Sequence, residues 1–179
     1  MLLLAPLATT CWSVETYKIE PGWSHVEFAV SNFALHTVDG RFKIFAGTVS
    51  YDEADVTKSL VTVAIQAASV DTGNAKRDKH LRTADFFDVD KYPEITFQSE
   101  RIEKKGDVYV MTGPLTIKGH SQTVSLPFTY SLKKSEDGKM TLRGEAQGAI
   151  NRHDFGIDYG GNFSVGKEVK MTIHIQAVP

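Results

Sequence analysis

The sequence predicts an all-β fold, a single antiparallel barrel built from long strands. Apolar residues alternate with polar residues through most of the chain, and the connections between the alternating runs are short and marked by turn residues. Alternation with a period of two is typical of a sheet with one buried face, and short connections join antiparallel neighbours. Several runs exceed ten residues. Strands of that length favour a barrel over a sandwich, because closure removes exposed sheet edges.

Eight or nine runs have strand character, and the glycine-containing pairs between them predict the turns. Val26, Phe28 and Val30 share one face of an early run, with Glu27 and Ala29 on the other face. The approximate bounds of the runs are 16–20, 24–32, 39–51, 59–69, 94–103, 107–117, 121–133, 139–151 and 167–178. The turn pairs are Gly106–Asp107, Lys118–Gly119 and Asp137–Gly138.

One segment between Ser69 and Pro93 lacks the alternation and predicts a short helical insert near residues 74–84. Asn74 is a good N-cap, and Leu81 supplies an apolar side chain that can dock the helix on the barrel. Phe86 and Phe87 follow on a loop, where two adjacent buried rings need a special site. A second irregular segment, rich in glycine, covers residues 152–166.

The chain of 179 residues has room for one domain, which we place at residues 14–179. The formal net charge of −2 gives no indication of a nucleic-acid partner. The apolar run Met1–Ala8 resembles the tail of a secretory signal with cleavage before Val14, and it is too short to span a membrane. The signal predicts a periplasmic or secreted protein; the alternative is a disordered or helical tail on a cytosolic protein.

The sequence offers little catalytic or metal chemistry. Cys11 is the single cysteine, so there is neither an internal disulfide nor a zinc site of the CxxC type. The histidines are scattered without the spacing of a metal motif. The chain contains no GxSxG elbow, no HExxH motif and no phosphate-binding glycine loop. We therefore predict no catalytic residues, no metal and no cofactor.

Small residues on one strand indicate how completely the barrel interior is filled. In the run at 139–151, the apolar phase passes through Gly144, Ala146 and Gly148. Such a phase either marks tight bends at barrel corners or leaves space inside. Because the other apolar phases carry no titratable residues, any cavity is expected to be dry and lipophilic. A long apolar ligand would then gain roughly 0.8 kcal/mol for each buried methylene.

Seven short motifs in a fixed order resemble the YceI-like family of polyisoprenoid-binding, lipocalin-like periplasmic proteins, and the likeness covers nearly the whole chain after Thr16. The motifs are VDGRF with FAG at 38–47, SVDT at 69–72, RDKHL at 77–81, DFF at 85–87, YPEITFQS at 92–99, GPLTIKG at 113–119 and NRHDFGI at 151–157. Two positions depart from many relatives, which carry His-Ser in place of Trp23–Ser24 and a histidine in place of Asn32.

The resemblance implies an extended eight-stranded antiparallel barrel with a helix near its open end. It also implies a long apolar tunnel for an isoprenoid chain, of the polyprenyl or isoprenoid-quinone type, and often a homodimer. The favoured hypothesis is accordingly binding, with transport or storage, of such a lipid. The alternatives are an enzyme acting on an isoprenoid or quinone precursor, with Arg77–Arg82 at its mouth, and an interaction module with a filled barrel.

The candidate ligand-binding residues are mainly phenylalanines, with two glycines and one arginine. They are Phe28, Phe33, Phe42, Phe45, Arg82, Phe86, Phe87, Gly144, Gly148 and Phe155. Arg82 is predicted either to meet a polar head group at the barrel mouth or to play a structural part. For Asp78 we favour an ion pair with an arginine, for His80 a hydrogen bond to a backbone carbonyl, and for Arg152 a pair with an aspartate such as Asp85.

Overall fold

The computed structural model describes residues 14–33, 36–134 and 138–179, apart from the Phe163 side chain. The described residues form a closed eight-stranded antiparallel barrel assembled from twelve strand segments. These are β1 Val14–Ile19, β2 His25–Asn32, β3 His36–Phe42, β4 Phe45–Asp52, β5 Leu60–Gln66, β6 Val70–Asp71, β7 Glu94–Gln98, β8 Arg101–Lys105, β9 Val108–Ile117, β10 His120–Lys134, β11 Met140–Asn151 and β12 Val165–Val178. The fold class predicted from the alternation is confirmed.

The barrel is an up-and-down meander, and the last strand closes it. Each strand pairs antiparallel with its neighbours in the order β1-β4-β5-β7-β9-β10-β11-β12, and β12 returns to β1. β12 pairs over its first part with β2 and at its end with β1, through the registers Lys18↔Val178 and Ile19↔Ala177. β1 and β2 therefore act as one long strand, interrupted by a 3-10 turn at Pro21–Trp23.

At three interruptions of this kind, a serine hydroxyl accepts a hydrogen bond from the backbone of a neighbouring strand. At the break between β1 and β2, the backbone N–H of Gln176 donates to Oγ of Ser24 at 2.9 Å. At the break between β3 and β4, the backbone N–H of Ile44 donates to Oγ of Ser69 at 3.1 Å. Beyond the end of β7, the backbone N–H of Val61 donates to Oγ of Ser99 at 2.8 Å. Each hydroxyl replaces a ladder partner that the bend removes, so the barrel changes direction without losing hydrogen bonds.

The breaks correct two predicted strand runs. The run at 39–51 is two segments, β3 and β4, because the chain bends at residues 43–44. The run at 94–103 is also two segments: β7 pairs with both β5 and β9, whereas β8 pairs with β9 alone among the described strands. Periodicity alone does not reveal a bend that preserves the alternation on both sides.

The predicted helical insert is present as α1, Ala75–Leu81. Oδ1 of Asn74 accepts hydrogen bonds from the backbone N–H groups of Lys76 and Arg77, both at 3.1 Å, which confirms the predicted cap. The buried carboxylate of Asp78 anchors α1, but it does so by accepting from the backbone and hydroxyl of Thr72 rather than by an ion pair with an arginine. A second helix, α2, is a single turn at Gly161–Ser164.

The interior face of the barrel is the apolar phase of the alternation. Leu142, Ala146 and Ala177 are buried on it. Two predicted turns are observed, with left-handed backbone at Gly106, Lys118 and Gly119. The predicted signal remnant at 1–13, and Asp137 of the third turn, lie outside the described residues. In the part of the chain that the structure describes, no helix has the length and apolar character needed to cross a membrane.

A buried tyrosine makes the stability of the barrel sensitive to alkaline pH. Tyr17 is only 1% exposed, and its hydroxyl donates to Glu15 at 2.9 Å. Burial and this hydrogen bond raise the pKa of Tyr17 to about 12. Because the folded protein holds the phenol proton more tightly than the unfolded chain does, the stabilisation is complete below about pH 10 and is lost as pH rises through the folded pKa.

We expect the free energy of unfolding of the natural protein to fall by roughly 2–3 kcal/mol more than that of Tyr17→Phe between about pH 9 and about pH 12. The measurement is urea unfolding at several pH values, followed by tyrosine fluorescence and circular dichroism. Parallel stability curves for the two proteins would contradict the assignment.

Candidate ligand-binding cavity

An apolar cavity runs through the barrel interior. Together with the open space at its mouth it occupies about 1330 Å³. Every lining residue except Glu27 and Arg152 is apolar. The lining residues are Val26, Glu27, Phe28, Val30, Phe42, Val61, Val63, Ile65, Leu81, Phe86, Phe87, Ile95, Phe97, Met111, Leu115, Ile117, Leu126, Ile150, Arg152, Phe155, Ile157, Val165, Val169, Met171, Ile173 and Ile175. Such a wall offers burial to an apolar ligand and few hydrogen bonds to hold water.

Aromatic rings form one wall of the cavity. The rings of Phe28 and Phe42 lie 5.6 Å apart, and those of Phe42 and Phe87 lie 5.7 Å apart in an edge-to-face arrangement. Phe28 and Phe42 come from the paired strands β2 and β3, whereas Phe87 comes from the loop after α1. The two loop phenylalanines, Phe86 and Phe87, therefore have the special site that their sequence position required: both line the cavity.

The mouth of the cavity is framed by α1 with its following loop and by the segment after β11. His80 on α1 lies edge-on to the rings of Phe86 and Tyr159, at 5.1 Å and 4.7 Å. Nζ of Lys118 donates to the backbone carbonyls of Ala84 and Gly156, at 2.8 Å and 3.0 Å, and so ties the two segments together. These contacts fix the rim as one unit.

His80 also corrects a predicted contact. Its Nε2 lies 2.7 Å from Oδ2 of Asp85, so its partner is a carboxylate and not a backbone carbonyl. The pair is partly exposed at the rim. Because Asp85 is engaged with His80, it is not the partner of Arg152.

Arg152 organises the segment after β11 by binding four backbone carbonyls. The side chain is 3% exposed. Nε donates to Gly166 at 3.0 Å and Nη1 donates to Ile157 at 2.5 Å. Nη2 donates to Gly161 at 2.7 Å and to Val165 at 2.9 Å. Burial lowers the pKa of Arg152, against the opposing effect of the Asp158 carboxylate. The predicted aspartate pair is replaced by a carbonyl cage that shapes the rim.

Five of the ten predicted site residues line the cavity: Phe28, Phe42, Phe86, Phe87 and Phe155. Phe45 is buried in the core of the barrel but is not one of the lining residues. Phe33 lies 51% exposed at the turn after β2, where its backbone N–H donates to the carbonyl of Ser164. The sequence pattern identified the phenylalanine positions. It did not distinguish residues that line the cavity from residues that are packed in the core.

Arg82 lies away from the cavity. Its Nε donates to the carbonyl of Ala68 at 2.7 Å, and its Nη2 donates to the carbonyl of Val70 at 2.9 Å. These two bonds fasten the end of α1 to the segment around β6. Of the two predicted parts for Arg82, the observed geometry supports the structural one.

The two predicted glycines face the interior but leave different amounts of space. A Cβ placed on Gly148 would lie 2.5 Å from Cδ2 of Leu126 and 3.6 Å from Cε of Met171, so lining side chains already fill that position. A Cβ placed on Gly144 would meet only the carbonyl oxygen of Thr129, at 3.9 Å. Neither glycine is a lining residue. Side chains of the cavity wall fill the space beside Gly148, whereas the space beside Gly144 is open.

The aliphatic residues of the cavity wall were not among the predicted site residues. Val63, Ile65, Met171 and Ile173 belong to alternating runs whose apolar phase the sequence already shows, and that phase is the signal that identifies them. Ile157 carries no such signal, because it lies in an irregular segment. Among the described residues there is no group of three or more His, Cys, Asp or Glu side chains that could hold a metal ion.

The fold and the cavity define a class of protein: a single-domain, closed antiparallel barrel with an apolar ligand-sized cavity that opens at one end. The chain belongs to the YceI-like family, because the family model for the YceI-like domain matches residues 17–177.

Two groups of proteins illustrate the relationship. Protein YceI of Shigella flexneri is 37% identical over 171 residues, which cover 90% of this chain and 86% of that protein. A UPF0312 protein of Serratia proteamaculans is 36% identical over 171 residues, covering 90% and 85%. Among crystal structures, Burkholderia cenocepacia BcnA superposes with a TM-score of 0.81 at 28% identity, covering 88% of this chain and 98% of that chain.

Two further solved structures share the fold. A YceI protein of Campylobacter jejuni superposes with a TM-score of 0.76 at 32% identity, covering 81% of this chain and 86% of that chain. A polyisoprenoid-binding domain from Saccharophagus degradans superposes with a TM-score of 0.68, covering 91% and 98%. Its identity to this chain is 15%, so this likeness concerns the fold alone.

The carbonyl cage around Arg152 predicts a stability effect that charge alone does not explain. Arg152→Lys keeps the positive charge but cannot reach carbonyls on four residues from one nitrogen. We expect it to lower the free energy of unfolding by about 3 kcal/mol or more, since buried carbonyls lose their partners. Thermal and urea unfolding measure this. The control is Arg143→Lys at an exposed site, which we expect to stay within about 0.5 kcal/mol of the natural protein.

Proposed function

We propose that this protein binds a long apolar lipid of the isoprenoid type inside the barrel, with the polar end of the lipid at the mouth. The observation that carries the proposal is the lining of the cavity, which is apolar apart from Glu27 and Arg152. Each buried methylene of a ligand would contribute roughly 0.8 kcal/mol, so an extended tail of many carbons binds tightly without a charged partner. Of the two polar lining residues, Arg152 is occupied by backbone carbonyls.

The shape of the cavity supports an extended tail over a compact ligand. On β12 the lining residues run from Val165 to Ile175. Ten residue steps of about 3.4 Å, on a strand tilted by about 40°, correspond to roughly 26 Å along the barrel axis. The structural likeness to a polyisoprenoid-binding domain suggests which kind of tail to test first.

A carrier or storage role follows from the same features as part of the proposal. The lipid is held without a covalent bond, and the rim segments that cover it are loops and a short helix. Such elements open at lower free-energy cost than barrel strands, which allows loading and release. The proposed location is periplasmic or secreted, where a carrier would shield an insoluble lipid from water.

The first experiment identifies the natural ligand. The protein is purified without detergent from a bacterial host, extracted with organic solvent, and the extract is analysed by mass spectrometry against protein concentration. An isoprenoid quinone or polyprenyl species at a molar ratio near one is expected. An empty protein that also fails to take up added polyprenyl lipids would contradict the proposal and favour an interaction module. Chemically altered lipid after incubation would favour an enzyme.

A substitution at Gly148 tests whether the lipid occupies the interior. A side chain at this position must push Cδ2 of Leu126, a lining residue, into the cavity. Because the displaced atom is the end of a flexible side chain, the barrel can accommodate the change. We expect Gly148→Phe to weaken binding of a fluorescent apolar probe, 1-N-phenylnaphthylamine, at least tenfold while the circular dichroism spectrum stays unchanged.

The matched control is Ala149→Phe on the same strand. Ala149 is exposed and pairs with Lys170 on the outer face, so the same ring is added outside the barrel. We expect its affinity for the probe to equal that of the natural protein. Equal weakening by both substitutions would place binding outside the cavity.

A further inference from the structure

The end of the barrel opposite the mouth is filled by a layer of tyrosines. The deepest lining residues on β9 and β12 are Met111 and Ile175. Farther from the mouth, Phe128 follows the lining residue Leu126 on β10 and packs its ring 5.7 Å from that of Tyr109. Tyr51, Tyr109 and Tyr130 also occupy inward positions at this end, and none of these four residues lines the cavity. We call Tyr51, Tyr109 and Tyr130 the tyrosine floor. Half of the six tyrosines of the chain lie in it.

The floor is one connected unit. The rings of Tyr51 and Tyr130 lie 5.9 Å apart, and those of Tyr109 and Tyr130 lie 5.6 Å apart. Tyr130 is the central member, since its ring contacts both of the others. Burial and hydrogen bonds with the hydroxyls of Tyr51 and Tyr109 raise the pKa of Tyr130. Three rings packed against one another in this way form a barrier that an apolar tail cannot pass without displacing them.

The open space at Gly144 lies beside the central ring of the floor. Gly144 pairs with Tyr130 on one side and with Ile175 on the other. Gly144 therefore stands at the boundary between the last lining residue and the floor, and its missing side chain leaves room at the bottom of the cavity. A larger residue there would raise the floor toward the mouth.

We propose that the tyrosine floor sets the maximum tail length of the bound lipid, with Tyr130 as the residue that stops the tail. This inference rests on the proposed function, and it adds the structural basis of ligand length. Tails that end above the floor are fully buried, and each added unit strengthens binding. Tails that are longer leave their excess in water at the mouth, where it gains no further burial free energy.

The test uses a series of isoprenoid alcohols of increasing length: geraniol, farnesol, geranylgeraniol and solanesol. Each competes with 1-N-phenylnaphthylamine for the natural protein, for Tyr130→Ala and for Tyr130→Phe. For the natural protein the affinity is expected to rise with length and then to level off. In Tyr130→Ala the rise should continue to a longer alcohol, which should bind at least tenfold more tightly than it binds the natural protein.

Tyr130→Phe is the matched control, because it keeps the ring and removes only the hydroxyl. We expect it to level off at the same alcohol as the natural protein. Gly144→Leu tests the opposite direction and guards against unfolding of the alanine variant: its affinity should level off at a shorter alcohol.

The outcomes separate this inference from the proposed function. If all the variants level off at the same alcohol, the floor does not set the length, while lipid binding itself stands. If no alcohol displaces the probe from any of the proteins, both the floor and the proposed function are wrong. A shift to longer alcohols in Tyr130→Ala, together with a shift to shorter ones in Gly144→Leu, supports the floor.

Discussion

Closure of the sheet by β12 is the constraint on which the rest of the structure depends. This strand pairs with β11 on one side and with both β2 and β1 on the other. Closure removes the sheet edges and directs every second side chain of each strand into the interior. The apolar cavity follows from that arrangement, because eight strands enclose slightly more volume than these side chains fill.

Closure with interrupted strands requires a substitute for the lost ladder bonds. Ser24 and Ser99 are buried, and Ser69 is the third member of the set. Among the described residues, no buried side-chain nitrogen or oxygen lacks a hydrogen-bond partner. The buried polar side chains are thus hydrogen-bonded within the protein, so a ligand in the apolar cavity would be held mainly by dispersion and burial.

The two ends of the barrel are built from different structural elements. The mouth consists of loops, α1 and the carbonyl cage of Arg152, whereas the other end is a layer of phenol rings on regular strands. Elements of the first kind tolerate opening, and packed rings on paired strands resist it. The asymmetry leaves the cavity open at one end, so the proposed loading of the lipid and the proposed selection of its length fall at opposite ends of the barrel.

Much of the fold was predictable because its causes are local. The alternation identifies the inward phases, Asn74 identifies the start of α1, and Lys118–Gly119 identifies a hairpin turn. Each depends on residues within a few positions of one another. The bends at residues 43–44 and 99–100 were not predictable, since the serines that permit them act on strands distant in sequence.

The candidate site likewise combines features that have local causes with features that depend on residues distant in sequence. The sequence by itself determined which residues face inward and that the interior is apolar. Only the tertiary structure decided where the interior is empty, because the volume beside one residue is filled or left open by side chains from other strands. Leu126 fills the space at Gly148, and the Thr62 carbonyl together with Ile19 fills that at Gly47. No side chain lies within 4 Å of a Cβ placed on Gly144.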